Sequence, residues 1–184
     1  MANWVSTSYI IEGTKEDLDR IWEAVANPQR TPGADEGWEG DVLNSLGINW
    51  DRDNLTMRGF IEQSFRDKEG IHLETEEAWE KTDFCKALQG EFPDINIFWI
   101  TEEPGMEIYT TNDSKGKYFP SRYYLDAFLD IDYYSKYFDT KEEAFQYINK
   151  ITKGKVNSQE NIDEYNKQNK DTDNFISLHK FTVI

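Results

Sequence analysis

The chain has 184 residues, of which 38% are hydrophobic and 15% aromatic, enough apolar surface for one compact core or two small ones. Its 36 acidic and 20 basic residues leave a formal net charge of −16, which disfavours binding to duplex DNA or to anionic membranes because like charges repel. The single cysteine, Cys85, excludes an intrachain disulfide and a multi-cysteine zinc site and fits a reducing cytoplasm. We expect a cytoplasmic protein without a signal sequence or membrane span, because no long apolar run is present.

The first 28 residues predict a strand followed by a helix. Polar and apolar residues alternate over residues 3–12, which predicts a strand with a core face. This face would carry Val5, Thr7, Tyr9 and Ile11. Thr14 and Asp17 resemble a capping box, so a first helix should begin there. Pro28 must end this helix, because proline lacks the amide hydrogen that a helix interior requires.

The middle of the chain predicts a short helical turn, two strands, a second helix and a fourth strand. The two strands, LTMRGFIEQSF and GIHLET, flank a turn at residues 67–70. Thr82 or Asp83 would cap the second helix, and an extended run follows that helix. The order strand, helix, strand, strand, helix, strand is typical of a ferredoxin-like α+β fold, an antiparallel sheet with helices on one face.

A third helix is predicted near the C-terminus. Asp139 or Thr140 would cap it, and it should dock through Phe145 and Ile148. The polar segment that follows contains at best a short helix, and the final segment FISLHKFTVI predicts a closing strand that returns to the sheet.

These elements predict one α+β domain. A ferredoxin-like core with added hairpin strands would occupy residues 1–135. The third helix, the polar segment and the closing strand would occupy residues 136–184 and pack on the same domain.

Four segments carry a resemblance to a known family: NWVSTSYIIEG, EAW near residue 79, EFPDINIFWITEEPGMEIY and GKYFPSRYY. Together they resemble a YubB-type family of ferredoxin-like domains of unknown function, carried by bacterial phages, plasmids and integrated elements. The likeness covers roughly residues 3–135 and is most specific in the fourth predicted strand. It implies the same fold and a mobile-element setting, and it implies no active-site residue.

The stretch YYLDAFLDIDYY, residues 123–134, is the main candidate for a functional surface. As one continuous strand it would present a core face with Tyr123, Leu125, Ala127, Leu129 and Ile131. The opposite face would carry Tyr124, Asp126, Phe128, Asp130, Asp132 and Tyr134. This face is either the solvated side of a sheet or a partner-binding surface, and we predict that its six residues bind a partner. Asp130 and Asp132 would be about 6.5 to 7 Å apart, so a shared cation or a carboxylate-dependent hydrolytic site is an alternative.

Other motifs give little support for chemistry. His72 and His179 lie in predicted strands without a further metal ligand at suitable spacing, and they could meet only if those strands are neighbours. Cys85 lacks a basic partner and is expected to be a buried small hydrophobe. The acidic segments that begin at Asp51 and Asp171 lack the oxygen ligand and the glycine that a calcium loop needs. We assign no catalytic residue, no metal site and no cofactor.

The sequence therefore predicts a non-enzymatic accessory protein that binds another macromolecule through an acidic and aromatic-rich surface. The expected partner is a protein. Two alternatives stay open. An acidic nucleic-acid mimic would inhibit a DNA- or RNA-binding protein and should carry rows of carboxylates along one face. A carboxylate-dependent hydrolase should show a pocket in which Asp126, Asp130, His72 or Glu103 converge.

Overall fold

Two β-sheets organise the chain in the computed structural model, which describes residues 4–51, 54–78 and 83–184. The fold is mixed α+β, as the sequence predicts. The chain divides into two compact units, residues 1–112 and residues 113–184. The sequence predicts one domain whose core ends at residue 135, a division that differs from these two units. The boundary falls earlier because the strands after residue 113 pair with the C-terminal strand and form a sheet of their own.

The first unit contains five strands and three helices among its described residues. They are β1 Trp4–Glu12, α1 Lys15–Ala26, α2 Glu39–Ser45, β2 Gly59–Arg66, β3 Ile71–Ala78, α3 Asp83–Glu91, β4 Asn96–Glu103 and β5 Ile108–Thr111. The strands lie in the order β2-β3-β1-β4-β5, and every neighbouring pair is antiparallel. The first strand of the sequence is therefore central in the sheet.

The face of β1 predicted to be buried is buried. Val5, Thr7, Tyr9 and Ile11 are each at most 2% exposed. Helix α1 begins as predicted, because the Thr14 hydroxyl accepts the backbone N–H of Asp17 at 3.2 Å, and it ends before Pro28. The core on this side of the sheet combines residues of α1, α2 and α3 with the alternate residues of β1, β3 and β4. We call this side of the first sheet the inner face.

The β2–β3 hairpin turns where the sequence predicts, at residues 67–70. The Asp67 carboxylate accepts the backbone N–H groups of Glu69 at 2.8 Å and Gly70 at 3.2 Å. A Cβ atom at residue 70 would lie 2.3 Å from the Ile11 carbonyl oxygen, so only glycine fits. Helix α3 begins at Asp83, and the other predicted cap, Thr82, lies outside the described residues.

The second unit contains β6 Tyr123–Leu129, β7 Asp132–Phe138, α4 Lys141–Ile151, α5 Gln159–Gln168, β8 Phe175–Lys180 and β9 Thr182–Val183. Its sheet has the antiparallel order β7-β6-β8. One face packs against α4 and α5, in a core that includes Leu125, Ala127, Ile148, Ile162 and Ile176. Residues 175–180 of the predicted closing strand thus join this second sheet as β8.

Both helices of the second unit have polar caps. Thr140 and Glu143 form a reciprocal capping box at the start of α4, which confirms the predicted third helix. Ser158 caps α5 by accepting the N–H of Asn161, so residues 159–168 of the polar segment are helical. Of the two residues predicted to dock α4, Ile148 is fully buried, whereas Phe145 is only partly buried.

Candidate functional site

The stretch predicted as one acidic strand is a β-hairpin. Its chain reverses at Asp130 and Ile131, between Leu129 at the end of β6 and Asp132 at the start of β7. Asp130 adopts a positive φ of 59°, and its backbone N–H donates to Asn174 Oδ1 at 2.6 Å. The two-residue reversal restarts the alternation of side chains, so the two halves of the stretch do not follow one pattern.

The six predicted partner-binding residues therefore do not share one face. Tyr124, Asp126 and Phe128 lie on the face of the second sheet that points away from its helices, together with Tyr133, Ser135, Tyr137, Phe175, Ser177 and His179. Tyr134 and Asp132 pair with Ala127 and Leu129, which places them on the helix-packed face, and Asp130 lies in the turn. Ile131, predicted for the core, is 88% exposed in that turn.

The aromatic face of this second sheet is not acidic. Asp126 is the only acidic residue among its nine positions. The whole second unit has 12 acidic and 11 basic residues, a formal charge of −1. The first unit, with 24 acidic and 9 basic residues, has a formal charge of −15. The acidic character of the protein thus belongs to the first unit.

An acidic and aromatic surface does occur on the first sheet, on the side opposite the inner face. Nine of the residues that the β1–β3 and β2–β3 pairs place there are not buried: Trp4, Ser6, Ser8, Phe60, Gln63, Phe65, His72, Glu74 and Glu76. We call these nine residues the outer face. Trp4 is 51% exposed and Phe65 is 53% exposed. Trp4 lies beside Phe60 with ring centroids 6.1 Å apart, and Phe65 stacks on His72 at 4.2 Å.

Glu74 and Glu76 are the only acids of the outer face, and no Lys or Arg shares its nine positions. Each carboxylate accepts a hydrogen bond at 2.5 Å from a neighbouring strand: Ser8 donates to Glu74, and Ser6 donates to Glu76. These bonds fix the direction of the two carboxylates. The sequence contained the signal, because polar His72, Glu74 and Glu76 alternate with apolar or small residues in IHLETEEA.

Two carboxyl groups are buried together beneath the other side of the same sheet. Glu39, the first residue of α2, and Glu77 of β3 are 3% and 4% exposed. The Tyr9 hydroxyl and the Thr75 hydroxyl both donate to Glu77 Oε1, at 2.5 and 3.1 Å. Burial, followed by the charge of Glu77, raises the pKa of Glu39 well above its ordinary value, and burial raises the pKa of Glu77. Burial therefore favours the protonated form of Glu39, in which this carboxyl group can donate to Glu77.

This buried pair has no room for a substrate. The adjoining cavity has a volume of about 10 Å³, enough for about one water molecule. Gly59, which also lines this cavity, packs so closely that a Cβ atom there would lie 2.5 Å from the Glu39 carboxyl group. The pair is thus a structural proton-sharing contact between α2 and the sheet.

Replacing Glu39 by glutamine should raise the free energy of unfolding at pH 8 by about 1 to 3 kcal/mol, because the amide keeps the donor to Glu77 without needing a proton. The pKa of Glu39 is raised in the folded protein, so its stabilising protonated form is fully present below about 4.5 and is lost as pH rises. Denaturant unfolding from pH 4.5 to pH 8 should show the gain growing with pH. A gain independent of pH, or an equal gain in Glu62→Gln at an exposed position, would contradict this assignment.

A second cluster lies in the β2–β3 turn. Ligand atoms of Asp67, Glu69 and His72 all lie within 4.8 Å of one another. However, Asp67 Oδ1 already accepts the N–H groups of Glu69 and Gly70 and contacts His72 Nε2 at 3.1 Å. These bonds, led by that from Glu69, lower the pKa of Asp67. The cluster therefore has a structural explanation: the hydrogen bonds of Asp67 stabilise the turn.

The remaining candidates from the sequence are separate. His72 lies in β3, which pairs with β1 and β2, whereas His179 lies in β8, which pairs with β6. Cys85 is buried at 5% exposure, and burial, with the nearby Glu77, raises the pKa of its thiol. Glu103 is buried on the inner face of the first sheet, opposite the face that carries His72.

No protein-family model, curated protein or solved structure matches the chain. Among the described residues, no helix has the length and apolar content that crossing a bilayer would require.

Proposed function

We propose that the protein is a non-enzymatic binding protein that docks a basic protein partner on the outer face of its first sheet. The observation that supports this most directly is the exposure of Trp4 and Phe65 on the same face as Glu74 and Glu76, on a unit with a formal charge of −15. Exposed aromatic side chains are common interface anchors, and the surrounding negative charge speeds encounter with a positive surface.

The strand order supports a ferredoxin-like classification of the first unit. Strands β4-β1-β3-β2 are antiparallel neighbours, and α1 and α3 contribute to the core on the same face of the sheet. Together with the resemblance to the YubB-type family, this classification favours a cytoplasmic accessory protein of a mobile element. We therefore propose a cytoplasmic location and a mobile-element setting together with the binding function.

The partner is a protein rather than a nucleic acid, because the acidic outer face repels phosphate groups. A nucleic-acid mimic would use the same carboxylates against a DNA- or RNA-binding protein, so it differs from the main proposal only in the class of the protein captured. A carboxylate-dependent hydrolase has less support, because the buried Glu39–Glu77 pair adjoins a cavity of only about 10 Å³.

Site-specific photo-crosslinking in the cells that produce the protein tests the proposal. A photoreactive phenylalanine analogue at position 65 should capture a partner, and the same analogue at exposed Glu164 of α5 should not. Glu74→Lys should weaken capture at position 65 by about tenfold, because it introduces repulsion with a basic partner. Glu164→Lys makes the same charge change elsewhere and should leave capture intact.

Three results would contradict the proposal: no product at position 65, equal products at both positions, or a product insensitive to Glu74→Lys. Identification of the captured protein as a nucleic-acid-binding protein, contacted through its nucleic-acid site, would select the mimic.

A further inference from the structure

Strand β7 forms one edge of the second sheet, and no bulge, proline or covering loop blocks this edge among the described residues of the second unit. Strand β7 is the end strand in the order β7-β6-β8, and it pairs with β6 in an unbroken register from Leu129–Asp132 to Tyr123–Phe138. It contains no proline, and Lys136 is its only basic residue. Edge strands of this length and regularity are templates for pairing with another strand.

The first sheet shows how this same protein protects an edge. Strand β2, at the end of that sheet, has a bulge between Ile61 and Gln63. The loop before it covers the strand, since the Ile61 N–H donates to the Gly37 carbonyl at 2.7 Å and Trp38 bridges to Phe60. Neither device occurs along β7 among the described residues of the second unit.

The surroundings of β7 leave space for another strand. A groove of about 500 Å³ lies between β7 and α4, lined by side chains that include Lys136, Phe138, Gln146, Tyr147 and Lys150. Three of the large hydrophobic residues that are exposed lie in β7 or in the turn before it: Ile131 at 88%, Tyr133 at 61% and Tyr137 at 46%. A strand added at this edge would cover part of this apolar surface.

We propose that this edge pairs with the same edge of a second copy of the chain. In a hairpin with a two-residue turn, the residues that flank the turn form a hydrogen-bonded pair, so Leu129–Asp132 is such a pair. By alternation, Tyr133 and Ser135 then direct their backbone groups away from β6. An antiparallel second β7 can satisfy these groups when Tyr133 of one copy lies opposite Ser135 of the other.

This register is favoured by charge. It places a two-fold axis at Tyr134 and sets Asp132 of each copy directly opposite Lys136 of the other, giving two ion pairs. It also sets exposed Ile131 opposite Tyr137. The second unit has a formal charge of only −1, so two copies can approach through it, whereas the first unit at −15 repels its own copy. The two sheets would join into one sheet of six strands.

A charge-swap experiment tests both the dimer and its register. Analytical ultracentrifugation over a concentration series should show a species of twice the 21.7 kDa chain mass for the unmodified protein. Asp132→Lys and Lys136→Asp should each weaken dimerisation by about tenfold or more, because each replaces two attractions by two repulsions. The double variant carrying both substitutions should recover the original dissociation constant within a few fold. The matched control pair, Glu164→Lys and Lys167→Glu, lies on exposed positions of α5 and should have no effect.

A backbone variant gives an independent test. Ser135→Pro removes an N–H group that points away from β6, so it should abolish the dimer while circular dichroism still reports a folded chain. A monomer at all concentrations in the unmodified protein would overturn the proposal. So would a dimer that tolerates Ser135→Pro, or single charge variants that both dimerise normally. Photo-crosslinking at position 65 is independent of these results, so failure of the dimer leaves the proposed function to its own test.

Discussion

Replacing Ile148 by alanine is expected to lower the free energy of unfolding of the second unit by about 2 to 5 kcal/mol. Ile148 is fully buried in α4, within the core that also includes Leu125 and Ile176. Truncation removes three carbon atoms from this close-packed core and leaves a cavity. Ala144, the other buried residue of α4, is too small to fill that cavity.

Phe145→Ala is the matched comparison. Although phenylalanine is larger than isoleucine, Phe145→Ala should lower the free energy of unfolding less than Ile148→Ala does. Phe145 is only partly buried, with the Lys141 ammonium group 5.5 Å from its ring centre, so its truncation should cost about 1 to 2 kcal/mol. A larger loss for Phe145→Ala than for Ile148→Ala would mean that Phe145 contributes more to the docking of α4 than its partial burial indicates.

The distribution of tryptophan allows the two units to be measured separately. All six tryptophans occur in the first unit, at positions 4, 22, 38, 50, 79 and 99. Their fluorescence therefore reports unfolding of the first unit, whereas far-ultraviolet circular dichroism reports both units. Ile148→Ala should shift the circular dichroism transition and leave the midpoint of the fluorescence transition in place if the units unfold independently. A common shift of both signals would show that they unfold together.

Local sequence signals predicted much of the first unit. Alternation in β1 and the Thr14 cap of α1 identified both elements, because each depends on neighbours within a few residues. The hairpin at residues 130 and 131 was missed because its turn contains no glycine or asparagine, although Asp130 tolerates the positive φ that it adopts. A continuous alternating pattern could not show where the chain reverses.

The candidate site was harder to predict, because it depends on pairings that are distant in sequence. The outer face combines Trp4, Phe65 and Glu74 through the β1–β3 and β2–β3 registers. Glu39 and Glu77 are buried together only because α2 packs over the sheet, and a sequence pattern treats both as solvated. The sequence predicts an acidic and aromatic surface at residues 123–134, whereas the acidic and aromatic surface of the structure lies on β1, β2 and β3.

Asp113 holds a loop of the second unit through three hydrogen bonds, and the sequence analysis did not identify it. Its side chain is 1% exposed at the start of the second unit, where the loop over residues 113–122 leads into β6. Its carboxylate accepts the backbone N–H groups of Lys117 at 3.0 Å, Tyr118 at 2.7 Å and Phe119 at 2.9 Å. Burial alone would raise its pKa, but these three N–H groups lower the pKa of Asp113 below its ordinary value.

Asp113→Asn should lower the free energy of unfolding at pH 7 by about 2 to 4 kcal/mol, because the amide nitrogen that replaces one carboxylate oxygen cannot accept the N–H group it faces and the negative charge that all three N–H groups share is lost. The pKa is lowered in the folded protein, so the contribution of the carboxylate is fully present above its ordinary value of 3.8 and is lost as pH falls through the folded value. Denaturant unfolding followed by circular dichroism should therefore show a difference between the two proteins that is largest at neutral pH and shrinks in acid.

Asp171→Asn makes the same change at an exposed position of the same unit and should alter stability by less than about 0.5 kcal/mol. A difference for Asp113→Asn that is equally large at pH 3 and pH 7 would show that the lost volume and geometry, rather than the ionised carboxylate, hold this loop.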